Sequence, residues 1–170
     1  MAAPDSITLR FAEREDLPQV LAFIRELAEY EKLADGVTAD EQTLEASLFG
    51  AMPAAEVLLA EVDGEAAGFA LFFHNFSTFL GRRGLYLEDL YVSPRFRGRG
   101  LGRQLMASLA RLAVERGCGR FEWSVLDWNT PAIKFYRGLG ASSMDEWTVQ
   151  RVTGEALTAL AADGELPGHS

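Results

Sequence analysis

Leu85-Tyr86-Leu87-Glu88-Asp89-Leu90-Tyr91-Val92-Ser93-Pro94-Arg95-Phe96-Arg97-Gly98-Arg99-Gly100-Leu101-Gly102-Arg103 decides how this 170-residue chain is read. Residues 85–92 have strand composition, and Ser93-Pro94 ends the strand, because proline cannot donate to a ladder and restricts the residue before it. Residues 95–100 form a glycine-arginine turn. Leu101, Leu105, Leu109 and Leu112 then recur on one helical face until Gly117, a good C-terminal stop.

Upstream, Ile7, Leu9 and Phe11 alternate as in a half-buried strand. Asp16 is placed to cap a helix carrying Leu17, Val20, Leu21, Ile24, Leu27 and Ala28, with Tyr30-Glu31 at its end. Gly36 breaks the pattern, and Thr38 with Glu41 has capping-box spacing for a second helix bearing Leu44 and Leu48. Residues 57–62, Asp63-Gly64 and 66–73 read as a hairpin, followed by a loop over 75–84 that holds Phe76, Phe79, Arg82 and Arg83. Downstream come a strand over 121–125, a short helix from Asn129-Thr130-Pro131 to Gly140, a final strand over 147–152 and a terminal helix over 154–162. No repeat or linker interrupts this order. The expectation is one α/β (α+β) domain over residues 1–162, with a loose tail over 163–170.

Composition narrows the function. With 48% hydrophobic and 24% charged residues the chain is an ordinary globular protein with enough residues for a core. A single cysteine, Cys118, and two histidines offer neither an internal disulfide nor a typical zinc site, so no metal is expected. The net charge of −9 argues against nucleic acid and anionic membranes as partners and suits a cationic substrate. Residues 1–6 lack the basic and apolar regions of a leader, and no apolar run reaches a membrane span, so the expected location is the cytoplasm.

The turn supplies the chemistry. Glycines at alternate positions leave successive backbone N–H groups pointing into one concavity, and the following helix N-terminus adds its dipole, so the turn suits a pyrophosphate. Arg95, Arg97, Arg99 and Arg103 add charge around the rim. A Walker loop would end in Gly-Lys-Ser/Thr, which is absent, and a dinucleotide fingerprint would follow an early strand. An RNA-binding Arg-Gly tract is at odds with so short a run in an acidic chain. From the turn alone, an arginine-rich surface turn is the competing reading.

Arg97-Gly98-Arg99-Gly100-Leu101-Gly102 matches the Arg/Gln-x-x-Gly-x-Gly/Ala motif, and here the chain resembles the GNAT N-acetyltransferases. More narrowly, residues 26–31, 85–92 and 129–136 resemble segments of the spermidine/spermine (diamine) N-acetyltransferase group. The resemblance implies a GNAT fold: a twisted, mixed central sheet splayed at the cofactor site and flanked by helices. Acetyl-CoA would be the co-substrate, and homodimers are usual in such relatives. The pantetheine arm would pair along Leu90, Tyr91 and Val92, and Arg97, Gly98, Arg99, Gly100, Leu101, Gly102 and Arg103 would hold the pyrophosphate. Glu122, Trp123 and Ser124, with Asn129, Thr130, Pro131 and Ala132, would line the rest of the path.

An alkyl ammonium has a pKa near 10.4, so freeing its lone pair at pH 7 costs about 4–5 kcal/mol and demands a proton acceptor. Strand alternation sends Glu88 and Asp89 to opposite faces, so only one should face the acceptor. The resemblance selects Glu88, acting through water. A backbone N–H near Leu90 would stabilise the developing oxyanion. On pattern alone Tyr136 is a packing aromatic; the resemblance makes it the general acid for the departing sulfur. Tyr30 and Glu31 would hold the distal part of the amine. The arginines at 82 and 83 would repel a long polycation, which favours shorter amines or amino acids with a side-chain amine. Two other functions are open on these residues: acetylation of a protein or peptide amine, and a non-catalytic acetyl-CoA-binding module.

Overall fold

A computed structural model describes residues 5–168, which fall into two compact units divided between Asp127 and Trp128. Residues 1–4, part of the segment read as lacking a leader, and residues 169–170 of the expected tail lie outside the described residues. In the first unit the elements run β1 (Ile7–Phe11), α1 (Leu17–Tyr30), α2 (Glu41–Phe49), β2 (Glu56–Val62), β3 (Glu65–Ser77), β4 (Arg82–Val92), α3 (Leu101–Glu115) and β5 (Phe121–Trp123). The second unit carries α4 (Thr130–Gly138) and α5 (Gly154–Ala161).

Among the described residues the strands form one five-stranded sheet in sequential order, antiparallel from β1 to β4 and parallel between β4 and β5. Mixed pairing follows from the connections: tight turns join β2 to β3 and β3 to β4, whereas the crossover through α3 makes β5 parallel. The Asp63-Gly64 hairpin forms as read, with both residues at positive φ (51° and 81°), the twist that a two-residue hairpin requires.

The apolar stripe of α1 packs Leu17, Val20, Phe23 and Leu27 onto one sheet face, against Val57, Leu59, Phe69 and Tyr91. Phe23 stacks on the Phe69 ring at 5.6 Å. On the other face lie Leu58, Phe72 and Leu87, and α3 crosses β2, β3 and β4 with Leu101, Leu105 and Leu109 fully buried. This two-sided core holds β4 through Leu85, Leu87 and Tyr91.

The structure departs from the sequence reading in several places. The loop expected over 75–84 is mostly hairpin: β3 and β4 pair out to Ser77 and Arg82, leaving only residues 78–81 as the turn. The second helix is capped by Asp40, whose Oδ1 accepts from the Thr43 N–H at 2.8 Å, rather than by Thr38 with Glu41. β5 stops at Trp123. The strand expected over 147–152 does not form; residues 142–168 are all exposed, including Trp147 and Val149 at 78% each. Alternating apolar residues make a strand only where an edge is available to pair with, and among the described residues none pairs with this segment.

Candidate active site

The turn after β4 has the conformation its glycines allow. Gly98 and Gly100 both sit at φ +80°, a backbone that side-chain-bearing residues rarely adopt, and a Cβ built on either would meet nothing within 4 Å. Gly100 is the N-cap residue of α3, so the helix dipole and its first free N–H groups meet the glycine turn. Exposed backbone at a helix start is what the diphosphate reading calls for.

The rim arginines behave differently from the expectation that all four serve the ligand. Arg95 pairs with Glu65, and Arg99 with Asp5. Arg97 turns back toward β4, where its Nε donates to the Val92 carbonyl at 3.1 Å. Its guanidinium lies over the rings of Tyr30 (5.5 Å) and Tyr91 (5.9 Å). Arg103 is exposed and has no ion-pair partner among the described residues.

β4 itself opens next to the turn. Its parallel pairing with β5 covers only Leu85–Leu87 against Phe121–Trp123, so beyond Leu87 no described strand pairs with that edge of β4. Residues 88–92, including Leu90, Tyr91 and Val92, thus keep one backbone edge unpaired by any described strand, where the resemblance would place the pantetheine arm. This gap is the splay expected of the sheet.

The carboxylates sit at the same end. The β3–β4 register shifts between Leu71↔Asp89 and Phe72↔Leu87, which makes Glu88 the extra residue of a β-bulge. Strict alternation therefore fails at this pair, and the expected separation of Glu88 and Asp89 onto opposite faces does not apply. Glu88 is exposed and Asp89 half-buried. Burial pushes the Asp89 carboxyl up to about 6, and the negative charges of Glu88 and Glu31 push in the same direction. Glu31, the residue that caps the C-terminal end of α1, is also raised by burial. The Tyr91 phenol is raised by burial and by Glu26, with Arg97 opposing. Glu31, Glu88 and Asp89 thus meet as three like charges in a partly desolvated corner, and Tyr30 stands beside them. Sequence reasoning weighed Asp89 against Glu88 and set it aside, and it gave Glu26 no role of its own; the bulge that brings Asp89 to this corner has no local signal in the sequence.

The residues placed on β5 have protein partners. Ser124 Oγ lies 2.9 Å from the Tyr86 hydroxyl, Trp123 packs on Phe121 (4.9 Å), and Glu122 pairs with Arg120 (2.9 Å). In the second unit, Asn129 is buried and its Oδ1 accepts from the Ala132 N–H (3.4 Å), capping α4. Thr130 and Pro131 form the first turn of that helix, where proline is tolerated. Tyr136 lies on the same helix, half-buried, its ring 5.4 Å from Phe135.

Residues 21–141 match the Acetyltransferase (GNAT) family. The chain is 41% identical to a thialysine N-epsilon-acetyltransferase of Sus scrofa, over 92% of this chain and 98% of that protein. It is 32% identical to an L-ornithine N5-acetyltransferase of Arabidopsis thaliana, over 89% and 86%. Among solved structures, an integron cassette protein from the mobile metagenome of V. cholerae superimposes with a TM-score of 0.77 at 32% identity, over 92% of this chain and 98% of that one. A glycine cradle at a helix start, a splayed strand edge and full-length similarity to amine acetyltransferases converge: the chain belongs to the GNAT family and is an acetyl-CoA-dependent N-acetyltransferase.

Proposed function

We propose that this enzyme acetylates the primary amine of a small cationic acceptor: a diamine or polyamine, or an amino acid with a side-chain amine of the thialysine or ornithine kind. The observation that carries the reading is the acidic corner of Glu31, Glu88 and Asp89 at the bulged end of β4. Three carboxylates held near one another repel, and a cationic ligand relieves that repulsion. The names of the relatives support the same choice, since both specify transfer to a side-chain nitrogen.

Acetyl-CoA supplies an activated acetyl thioester. The turn from Arg97 to Arg103 holds its diphosphate, chiefly through backbone N–H groups and Arg103, and the free edge of β4 holds the pantetheine arm. The paths assigned to Glu122–Ser124 and to Asn129–Ala132 stay with that ligand by resemblance. Tyr30 packs against the distal part of the amine and Glu31 pairs with its second charge. Glu88 takes the ammonium proton through water, with Asp89 beside it as a second carboxylate of the same site. For a proton passed on to Asp89, a carboxyl at about 6 lowers the uphill transfer by about 3 kcal/mol relative to an ordinary aspartate. A backbone N–H near Leu90 polarises the carbonyl under attack. Tyr136 then donates its proton to the departing sulfur, a role supported by the match of residues 129–136 to the diamine acetyltransferase segment.

Position along β4 supports keeping polyamines among the proposed acceptors. Arg82 and Arg83 start the strand, and Asp89 is six residues beyond Arg83, about 20 Å at the rise of extended chain. That is more than two Debye lengths at physiological salt, so the arginines exert little force on an acceptor at Asp89.

The working form is a homodimer in the cytoplasm. Exposure of Trp147, Val149, Val152, Leu157 and Leu160 in one segment supports an interface, because monomers rarely present so much apolar surface in one run. Among the described residues no helix is long and apolar enough to cross a membrane. Residues 1–162 act as one catalytic domain; the family match runs across the division at Asp127.

A coupled thiol-release assay with acetyl-CoA and a panel of thialysine, ornithine, lysine, putrescine, spermidine and propylamine tests the reading. The expected result is efficient turnover of acceptors that carry a second charge, and weak turnover of propylamine. Turnover of propylamine equal to that of thialysine would refute the acidic corner as the acceptor site.

A further inference from the structure

We propose that Arg97, a residue of the cofactor turn by sequence, is a positioning residue for the acceptor, clamping Tyr30 at the end of α1 against the end of β4. The proposal rests on the reading that Tyr30 and Glu31 hold the amine. Arg97 is the one turn arginine whose side chain points back into the acceptor corner: it donates to the Val92 carbonyl and spreads over the faces of both Tyr30 and Tyr91. Glu26 and Arg97 act on the Tyr91 phenol in opposite senses, the carboxylate raising it and the guanidinium lowering it. A planar guanidinium suits this position, because one group donates in its plane and stacks with its face, which an ammonium cannot do.

The clamp matters because of where α1 stops. Tyr30 is its last residue and Glu31 its cap, and Lys32 then takes a left-handed conformation (φ 62°) that turns the chain away. Tyr30 is 44% exposed, and one face of its ring lies under the Arg97 guanidinium. Arg97 ties that ring to β4, and thereby sets the reach of Glu31 toward Asp89. Arg95 and Arg99 are paired outward with Glu65 and Asp5, which leaves the glycine backbone and Arg103 to hold the diphosphate. Loss of Arg97 should therefore show in the amine and not in the donor.

The test is steady-state kinetics of the full chain with thialysine and acetyl-CoA for Arg97→Lys and Arg97→Gln, alone and in a Tyr30→Leu background, with Glu31→Gln as the control and a thermal melt for each. Arg97→Lys should raise the KM for thialysine about fivefold to tenfold, with the KM for acetyl-CoA within about twofold. In the Tyr30→Leu background the same change should add less than about twofold, since the coupling is already lost. A rise confined to the acetyl-CoA KM, or an undiminished effect without Tyr30, would overturn the clamp. The reading beneath it fails separately: Glu31→Gln then leaves the thialysine KM unchanged, or the parent does not turn thialysine over. If Arg97→Lys melts early, Arg97→Gln gives the same KM comparison; a normal thialysine KM in a folded Gln variant also overturns the proposal.

Discussion

Replacing Asp89 with asparagine should make the ligand-free protein more stable near neutral pH while damaging the enzyme. Asp89 is half-buried, and its carboxyl is pushed from 3.8 to about 6 by burial, with Glu88 and Glu31 adding repulsion. The sign follows from linkage. The folded state keeps a proton that the unfolded chain releases between about pH 4 and pH 6, so the stability from this group is full below about 4 and is lost as pH rises through about 6. A shift of about two units corresponds to about 3 kcal/mol by pH 7.5 and about 0.5 kcal/mol at pH 4. Asparagine is neutral at both values and escapes the penalty. Thermal melts of parent and Asp89→Asn at pH 4, 5, 6 and 7.5 should nearly coincide at the acid end. At pH 7.5 the variant should melt higher by up to about 10 °C, at a few degrees per kcal/mol for a chain of this size. A saturating diamine should raise the parent's melting temperature more than the variant's, because only the parent has the buried charge to neutralise. A variant that melts at or below the parent at pH 7.5, or an offset that does not change with pH, would refute the picture of an unneutralised carboxylate in the corner.

Tyr136→Phe should lower kcat by about 10²- to 10³-fold and leave acetyl-CoA binding, measured by calorimetry, unchanged; full activity would remove the phenol from the mechanism. Gly100→Ala places a Cβ at φ +80°, and although nothing crowds the site, the backbone must strain or relax; the expected result is a loss of about 1 kcal/mol in stability and a several-fold weaker Kd for CoA. Trp147→Asp with Val149→Asp should convert the dimer to a monomer by light scattering, since both exposed side chains lie in the segment read as the interface; an unchanged mass would put the interface elsewhere.

The strand-turn-helix from Leu85 to Leu112 was legible because each part carries a local signal: proline ends the strand, glycines make the turn, and leucines mark the buried helical face. The Asp63-Gly64 hairpin and α1 were legible for the same reason. The outer half of the β3–β4 hairpin was not. Asn75, Ser77 and Gly84 read as loop, yet each strand supplies the other's ladder partners there, and that non-local pairing outweighs local preference. The Trp147 segment failed in the opposite sense, with strand alternation but no edge to pair with. At the site, the glycine cradle was visible in full, while the partners that occupy Arg95, Arg97 and Arg99 come from Glu65, Tyr30 and Asp5, too far off in sequence for any motif to reveal.

The bulge at Glu88 joins these features into one device. Leu71 and Phe72 are successive residues of β3 and so face opposite sides of the sheet; their partners Asp89 and Leu87 must do the same, although a spacing of two would put them on one face of a regular strand. Without the extra residue, Asp89 would follow Leu87 toward the face where α3 buries Leu105 and Leu109, an apolar setting in which a carboxylate would find no partner. With it, Asp89 joins Tyr91 on the α1 side, where Glu31 closes the helix and where the proposed function seats the amine. The pairing of β4 with β5 also ends at Leu87, one residue before the bulge. The inserted residue therefore marks the point where β4 passes from a segment paired on both edges, Leu85–Leu87, to one with an edge that no described strand pairs, and in the proposed function that second segment turns carboxylates to the acceptor and free backbone to the donor.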